Sequence, residues 1–263
     1  MLGHMGLSYM GTANSPHPTR DLTGMARGGP DASCLDRLLQ TDRLEYLDRD
    51  DVDARVKASV IAVLERVGAL VKEHQRNARL VLDEVAGVPD PRILELGAGH
   101  GALSRVLLDE HPTARVTVSD VNPDSVASMA ASDLGVNPRA VLRCIDAADI
   151  DAADSAFDVA VFALSFHHLP PPAAARVIAE ATRVADRLIV VDLARPPSLL
   201  HLVKLATMVP LAPVWPFAHD GLISSLRAYS PSALRQLAVN AGAEVDLRSG
   251  GFDRQVAVFR RAS

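Results

Sequence analysis

Ile93-Leu94-Glu95-Leu96-Gly97-Ala98-Gly99-His100-Gly101-Ala102-Leu103-Ser104 runs an apolar strand into three glycines at alternate positions and then opens a helix. Glycine permits backbone angles that side chains forbid, and it lets a ligand approach the main chain closely. The first N–H groups of the following helix have no partner within it and point at whatever lies before it. The unit therefore reads as the floor of a nucleotide-type cofactor site. Gly97, Gly99 and Ala102 also satisfy the dinucleotide pattern G-x-G-x-x-G/A, so the spacing alone leaves the cofactor open. The structural alternative is a glycine turn used only for close helix–strand packing.

Working outward, three acids narrow the choice. Glu95 stands two residues before the first glycine, where a carboxylate suits an ammonium group and opposes a pyrophosphate. Val116-Thr117-Val118-Ser119-Asp120 reads as a second strand ending in an acid that suits ribose hydroxyls in either cofactor. Asp120 also reads as part of a helix entry at Asn122-Pro123-Asp124. Leu142-Arg143-Cys144-Ile145-Asp146-Ala147 is a third strand whose terminal acid suits an adenine amino group. Its neighbours Asp149, Asp151 and Asp154 allow a plain solvated loop instead.

Glu95 to Gly101, Asp120, Asp146 and the run Phe157-Asp158-Val159-Ala160-Val161-Phe162-Ala163-Leu164-Ser165-Phe166-His167-His168-Leu169-Pro170 together resemble the successive motifs of class I S-adenosylmethionine-dependent methyltransferases. The resemblance covers roughly residues 90–260. It implies that Glu95 and the loop Gly97, Ala98, Gly99 and Gly101 hold the methionine moiety of S-adenosylmethionine, Asp120 the ribose, and Asp146 with Ala147 the adenine. Val121 and Ala163 are placed in the same cofactor site.

The rest of the chain agrees with a cofactor-using enzyme. Its 263 residues, 48% hydrophobic and 22% charged, allow one α/β domain with a real core and a helical extension. Strands are predicted at 92–96, 115–119, 140–145, 157–163 and 187–193 with helices between them. A helix at 231–241 and close-set strands at 243–249 and 255–261 end the chain. The expected fold is α/β: a doubly wound, mostly parallel, seven-stranded Rossmann-like sheet with N-terminal helices and a helical lid insertion. Net charge of −5, with no interleaving of basic and aromatic residues, gives no general attraction to nucleic acid. Cys34 and Cys144 are far apart, the latter in an expected buried strand, which fits a reducing cytoplasm better than a disulfide scaffold. No metal-ligand cluster with recognisable spacing is present, so no metal requirement is expected, although scattered acids leave an assembled site open.

Three segments flank this framework. Residues 1–33, rich in Gly, Pro, Ser and Thr, read as a disordered tail without a signal-peptide core. Residues 34–88 read as a helical cap, with one apolar stripe from Leu35, Leu38, Leu39, Leu44 and Leu47 and another from Val52 to Val67. The domain proper, 89–263, carries an insertion at about 194–230 that holds the apolar helix Ser198–Met208 and the chain's single tryptophan, Trp215. Pro210, Pro213 and Pro216 rule it out as a membrane span. It reads as a lid over a lipophilic substrate, a surface-bound helix, or a homodimer contact.

Leu44–Lys57, Asp192-Leu193-Ala194-Arg195, His219-Asp220-Gly221 and Arg227-Ala228-Tyr229-Ser230-Pro231 further resemble a bacterial methyltransferase subgroup associated with polyketide-type pathways. The chain departs from that subgroup at Ala218, where an arginine is usual, and at His100, where an acid is usual. The resemblance implies that His219, Asp220, Arg227 and Tyr229 line the mouth of the active site, with His168, Arg195 and Trp215 as further substrate-binding candidates. Asp220 and Arg227 also fit a structural ion pair. The expected reaction is O-methylation of a small, moderately lipophilic metabolite, with His219 or His167 taking the proton and Asp220 orienting His219. The alternatives are a nicotinamide-dependent oxidoreductase and a non-catalytic regulatory protein that keeps the cofactor fold. The first lacks the Tyr-x-x-x-Lys pair of short-chain reductases, since Ala233 stands at that offset from Tyr229.

Overall fold

Seven strands form one sheet in the order β3-β2-β1-β4-β5-β7-β6. They are β1 (Arg92–Leu96), β2 (Arg115–Asp120), β3 (Ala140–Cys144), β4 (Val159–Ala163), β5 (Leu188–Leu193), β6 (Ala243–Ser249) and β7 (Arg254–Arg261). β1 to β5 are mutually parallel, whereas β7 runs antiparallel to β5 and to β6. The computed structural model describes residues 21–262 apart from 213, 214 and 252, so expectations for the first twenty residues lie outside it. The helices are α1 (Cys34–Leu38), α2 (Ala54–Leu70), α3 (Glu73–Glu84), α4 (Ala102–Glu110), α5 (Pro123–Ala130), α6 (Asp133–Val136), α7 (Pro171–Val184), α8 (Ser198–Met208), α9 (Pro216–Arg227) and α10 (Pro231–Asn240).

Central strands buried on both faces should be mainly apolar, as β4 (Val-Ala-Val-Phe-Ala) is and as β5 is from Leu188 to Val191, with the buried Asp192 as its exception. Alternation along each strand then divides the core. Ile93, Val116, Val118, Val159 and Val161 meet Ala78 and Val81 of α3, Val85 at its C-cap, and Leu103, Leu107 and Leu108 of α4. On the other face Leu94, Leu96, Ala160, Phe162 and Val190 meet Val177, Ile178 and Ala181 of α7 and Leu234 and Leu237 of α10. Full burial of each such side chain is worth roughly 1.5–3 kcal/mol, which makes these two layers the main source of cohesion. The helix starts follow local chemistry. Asn122 caps α5 ahead of Pro123, and Ser230 caps α10 ahead of Pro231.

Three expectations need correction. Cys144 is exposed, because β3 is an edge strand rather than an interior one. Leu35–Leu47 is not one helical stripe: only Cys34–Leu38 and a 3-10 turn at Tyr46–Asp48 are helical, and Leu38 and Leu44 face outward. Finally, residues 21–33 are not part of a structureless tail. Leu22 and Ala26 are buried, and the buried Arg27 guanidinium donates to the His167 and Leu169 carbonyls, both at 2.9 Å. Ser230 clasps the same segment, its N–H on the Arg27 carbonyl at 2.9 Å and its hydroxyl on the Gly28 carbonyl at 2.7 Å. A composition poor in apolar residues did not disclose a segment held by side-chain-to-backbone bonds.

Candidate active site

In an open parallel sheet, ligands bind beyond the carboxyl ends of the strands. All the acids expected at the cofactor fall there. After β1 the chain turns through Gly97, Gly99 and Gly101, each at positive φ (64°, 56° and 72°). A Cβ at Gly97 would press on the Phe162 ring at 2.7 Å and one at Gly101 on Leu134 at 2.4 Å, while one at Gly99 would meet nothing within 4 Å. Two of the glycines therefore serve packing, and Gly99 presents bare backbone to open space. Asp120, at the end of β2, takes the Gly99 N–H on one oxygen and the Asn122 N–H on the other, both at 2.9 Å. A carboxylate has about four acceptor positions, so Asp120 retains capacity for two ribose hydroxyls. The cap of α5 is Asn122, not Asp120. Asp146 is exposed and accepts the Ala148 N–H at 2.8 Å, next to the half-buried Ala147.

Glu95 is buried under this loop and accepts from the Ser104 hydroxyl. Burial pushes its carboxyl up to about 7, and the bonds from Ser104 only partly offset this. An anion so short of positive partners is suited to receive an ammonium group. The bare backbone at Gly99, the free capacity of Asp120 and the uncompensated Glu95 all fit S-adenosylmethionine.

A second cluster forms where β4 and β5 end. Leu164 adopts φ 63°, rare for a non-glycine, with its N–H on the Val191 carbonyl at 2.7 Å. That turn leads into a 3-10 turn at Phe166–His168. His167 is buried there, its Nδ1 2.8 Å from Asp192 Oδ1 and its Nε2 3.4 Å from Glu45 Oε1. Burial disfavours the charged ring, but Asp192 and Glu45 outweigh it and raise His167 to about 9. Held between two carboxylates that favour its charged form, the His167 ring is poorly disposed to the general-base part expected of it. His168 is more open, with Nδ1 2.9 Å from Asp48 Oδ2 and Nε2 3.9 Å from Glu45 Oε2. Burial works against the Glu45 anion, yet His167, His168 and the Ser224 hydroxyl at 2.6 Å hold it below the ordinary range.

The insertion brings α9 over this cluster. His219 stacks on Tyr46 with ring centroids 3.9 Å apart, and its Nδ1 lies 2.8 Å from Asp220 Oδ1. Asp220 is buried and also accepts the Tyr46 N–H at 2.8 Å, so the 3-10 turn at Tyr46–Asp48 fixes it. With a proton on Nδ1 facing Asp220, the Nε2 lone pair is the one left for a substrate hydroxyl. Helix α8 turns His201 and Leu205 inward and leaves Leu199, Leu200, Leu202 and Val203 exposed.

Three residues expected at the substrate are structural clamps. Arg195 is buried, its Nε on Asp36 at 2.8 Å and its other nitrogens on the carbonyls of Asp36, Leu39, Leu226 and Ala228. Every guanidinium donor direction is used, which leaves none for a substrate. Arg195→Ala is expected to cost about 3–5 kcal/mol in urea unfolding, because it strands a buried carboxylate. A loss below about 1 kcal/mol would show that the clamp is dispensable. Tyr229 is buried in the core, its hydroxyl on the Leu169 carbonyl at 2.7 Å and the Arg27 guanidinium over its ring at 4.5 Å. Arg227 donates to the His168 carbonyl at 2.6 Å and pairs with Asp48 at 3.4 Å, not with Asp220. Trp215 is 43% exposed and packs on Phe217 with centroids 5.2 Å apart.

Sequence reasoning missed Glu45, Asp48 and Asp192, which hold the two histidines. Glu45 and His167 are 122 positions apart, so no spacing rule links them. Glu45 and Asp48 lay within the Leu44–Lys57 stretch and Asp192 opened Asp192-Leu193-Ala194-Arg195, but the resemblance gave none of the three a role.

Comparison with known proteins agrees with this geometry. Residues 93–187 match the family model described as a methyltransferase domain. The chain is similar to the malonyl-[acyl-carrier protein] O-methyltransferase of Geobacter sulfurreducens, 36% identical over 98 residues. That match spans 37% of this chain and 36% of the relative, so the chain covers about a third of its length. Among solved structures, human N-acetylserotonin methyltransferase in complex with S-adenosylmethionine superposes with a TM-score of 0.58 at 17% identity, over 87% of this chain and 66% of that one. The mitomycin 7-O-methyltransferase MmcR gives 0.60 at 19% identity, over 83% and 61%. These two likenesses show the fold. The match to the methyltransferase-domain model thus falls on the strand–glycine–helix core and the strands that carry Asp120 and Asp146.

Proposed function

We propose that the protein transfers a methyl group from S-adenosylmethionine to a hydroxyl of a small, moderately lipophilic metabolite in the cytoplasm. The observation that carries this is the alignment of Glu95, Gly99, Asp120 and Asp146 along the carboxyl ends of β1 to β3. Glu95 would hold the cofactor's ammonium, Asp120 its ribose and Asp146 its adenine, while Gly97, Ala98 and Gly101 shape the loop beneath. The bound cofactor supplies an electrophilic methyl on a sulfonium, open to in-line displacement. The protein's share is to align the acceptor, exclude water and manage one proton.

A phenolic hydroxyl has a pKa near about 10 and ionises little at neutral pH, so a base assists. His219 Nε2 takes that proton, and Asp220 stabilises the resulting imidazolium. Helix α9 carries both residues and packs on the turns at Tyr46–Asp48 and Phe166–His168; His168 and Trp215 are the remaining candidates for contact with the acceptor. Methylation at oxygen draws support from the names of similar proteins, a malonyl-[acyl-carrier protein] O-methyltransferase and a mitomycin 7-O-methyltransferase. No helix among the described residues is long and apolar enough to cross a membrane.

Calorimetric titration with S-adenosylhomocysteine, with NAD and NADP in parallel, tests the cofactor assignment. We expect binding of the thioether alone. Asp120→Ala should weaken it roughly 10- to 100-fold, the worth of hydrogen bonds to a charged acceptor. Binding of a nicotinamide nucleotide instead would overturn the proposal.

A further inference from the structure

We propose that Glu45, His167 and His168 form a binding site for a divalent metal ion of the zinc type. These are the only three metal-ligating side chains among the described residues whose ligand atoms all lie within 4.8 Å of one another. Glu45 and His167 are almost wholly buried, while His168 is more open and leaves an approach from one side.

The orientation of the two rings is the main argument. Each imidazole has its Nδ1 held by a carboxylate, His167 by Asp192 at 2.8 Å and His168 by Asp48 at 2.9 Å. This is the outer arrangement by which proteins set the tautomer and direction of metal-binding histidines. Both Nε2 atoms then converge on Glu45, one on each carboxylate oxygen, at 3.4 and 3.9 Å. Those separations are poor hydrogen bonds. They are close to the spacing of about 3.4 Å between ligand atoms around a tetrahedral ion with bonds of ~2.1 Å. The Ser224 hydroxyl, at 2.6 Å, fixes the carboxylate from its remaining side.

Charge points the same way. Glu45, Asp48 and Asp192 surround two imidazoles, and the permanent cation among their described partners is Arg227, 3.4 Å from Asp48. Three carboxylates against one guanidinium leave an excess of negative charge around the two Nε2 atoms, which a divalent ion would offset. Two imidazoles and one carboxylate favour zinc and its neighbours over magnesium or calcium, and they leave a coordination position open. The open position would hold an oxygen and lower its pKa. That use, on the acceptor hydroxyl, rests on the methyltransferase reading; the binding of the ion does not.

The test loads chelator-stripped full-length protein with Zn2+ or Co2+ and measures bound metal by elemental analysis and the visible spectrum of the Co2+ form. The expected result is a single equivalent with a tetrahedral Co2+ spectrum. His168→Ala, on the more open side, should weaken binding at least about 100-fold, and Asp48→Asn about 10- to 100-fold as an outer partner. Asp246→Asn, on the surface of β6, should leave binding unchanged, and circular dichroism checks that each variant is folded. No uptake by the parent protein, or equal uptake by His168→Ala and Asp48→Asn, would overturn the site. Titration of the stripped protein with S-adenosylhomocysteine separates the two proposals. Cofactor binding without metal uptake sinks the metal site alone, and metal uptake without cofactor binding sinks the methyltransferase reading alone.

Discussion

His219→Ala is expected to lower kcat by about 10²- to 10⁴-fold, the ordinary contribution of a positioned general base. The affinity for S-adenosylhomocysteine should stay unchanged, because His219 belongs to α9 and the proposed cofactor residues belong to the carboxyl ends of β1 to β3 and the loops after them. The geometry behind this is specific. Asp220 engages Nδ1 at 2.8 Å and is itself tied to the Tyr46 N–H at 2.8 Å, so the ring is held by a buried anion that cannot easily turn away. Stacking on Tyr46 at 3.9 Å fixes the plane as well. Asp220→Asn keeps the shape but not the charge, and its effect should fall on kcat rather than on KM. Steady-state assay with a turned-over acceptor decides the matter. Unchanged kcat in both variants would reduce the pair to a packing contact between α9 and the 3-10 turn at Tyr46–Asp48.

Glu95→Gln should act in opposite directions on binding and on stability. In the unliganded protein, burial raises this carboxyl to about 7, above its ordinary 4.5. A raised carboxyl pKa means that the folded form holds the proton more tightly than the unfolded chain does. The group is therefore harmless below about pH 4.5 and costs stability progressively as pH climbs to 7, by about 3 kcal/mol in all. Gln removes that cost while keeping an acceptor for Ser104, so the unliganded variant should be the more stable protein above pH 7. Cofactor binding runs the other way. An ammonium ligand requires the ionised carboxylate, so affinity for S-adenosylhomocysteine should rise about tenfold per pH unit below 7 and level off above it. The variant should lose that slope and bind at least about 10-fold more weakly at pH 8. Thermal unfolding and calorimetry across pH 5.5–8.5 read both effects. A variant that binds as tightly as the parent at every pH would remove Glu95 from the cofactor site.

The contrast between these two residues shows what was legible in the chain. Glu95 belongs to a contiguous pattern in which strand, glycine turn and helix are neighbours in sequence. Its environment follows from local rules: an apolar strand, glycines at positive φ, and a helix start. The same logic reached Asp120 and Asp146, because parallel strands linked by helices bring their carboxyl ends to one edge. The catalytic side was less legible. His167 was visible as a histidine after β4, yet its character comes from Glu45 and Asp192, on segments far from it in sequence. Arg195, Arg227 and Tyr229 looked like ligands for a substrate because polar side chains in a lid invite that reading. The donors of Arg195 and Tyr229 are consumed by backbone carbonyls and by Asp36, whereas Arg227 meets the His168 carbonyl and Asp48 and keeps a buried Nε without a partner among the described residues.

The chain's order of apolar strands, glycines and terminal acids by itself determined the doubly wound sheet and the cofactor edge, because those features depend on neighbours within a few residues. Only the tertiary structure decided which polar side chains are free to do chemistry. That depends on burial and on partners more than a hundred positions away, and a buried donor satisfies the nearest acceptor whatever its place in the sequence.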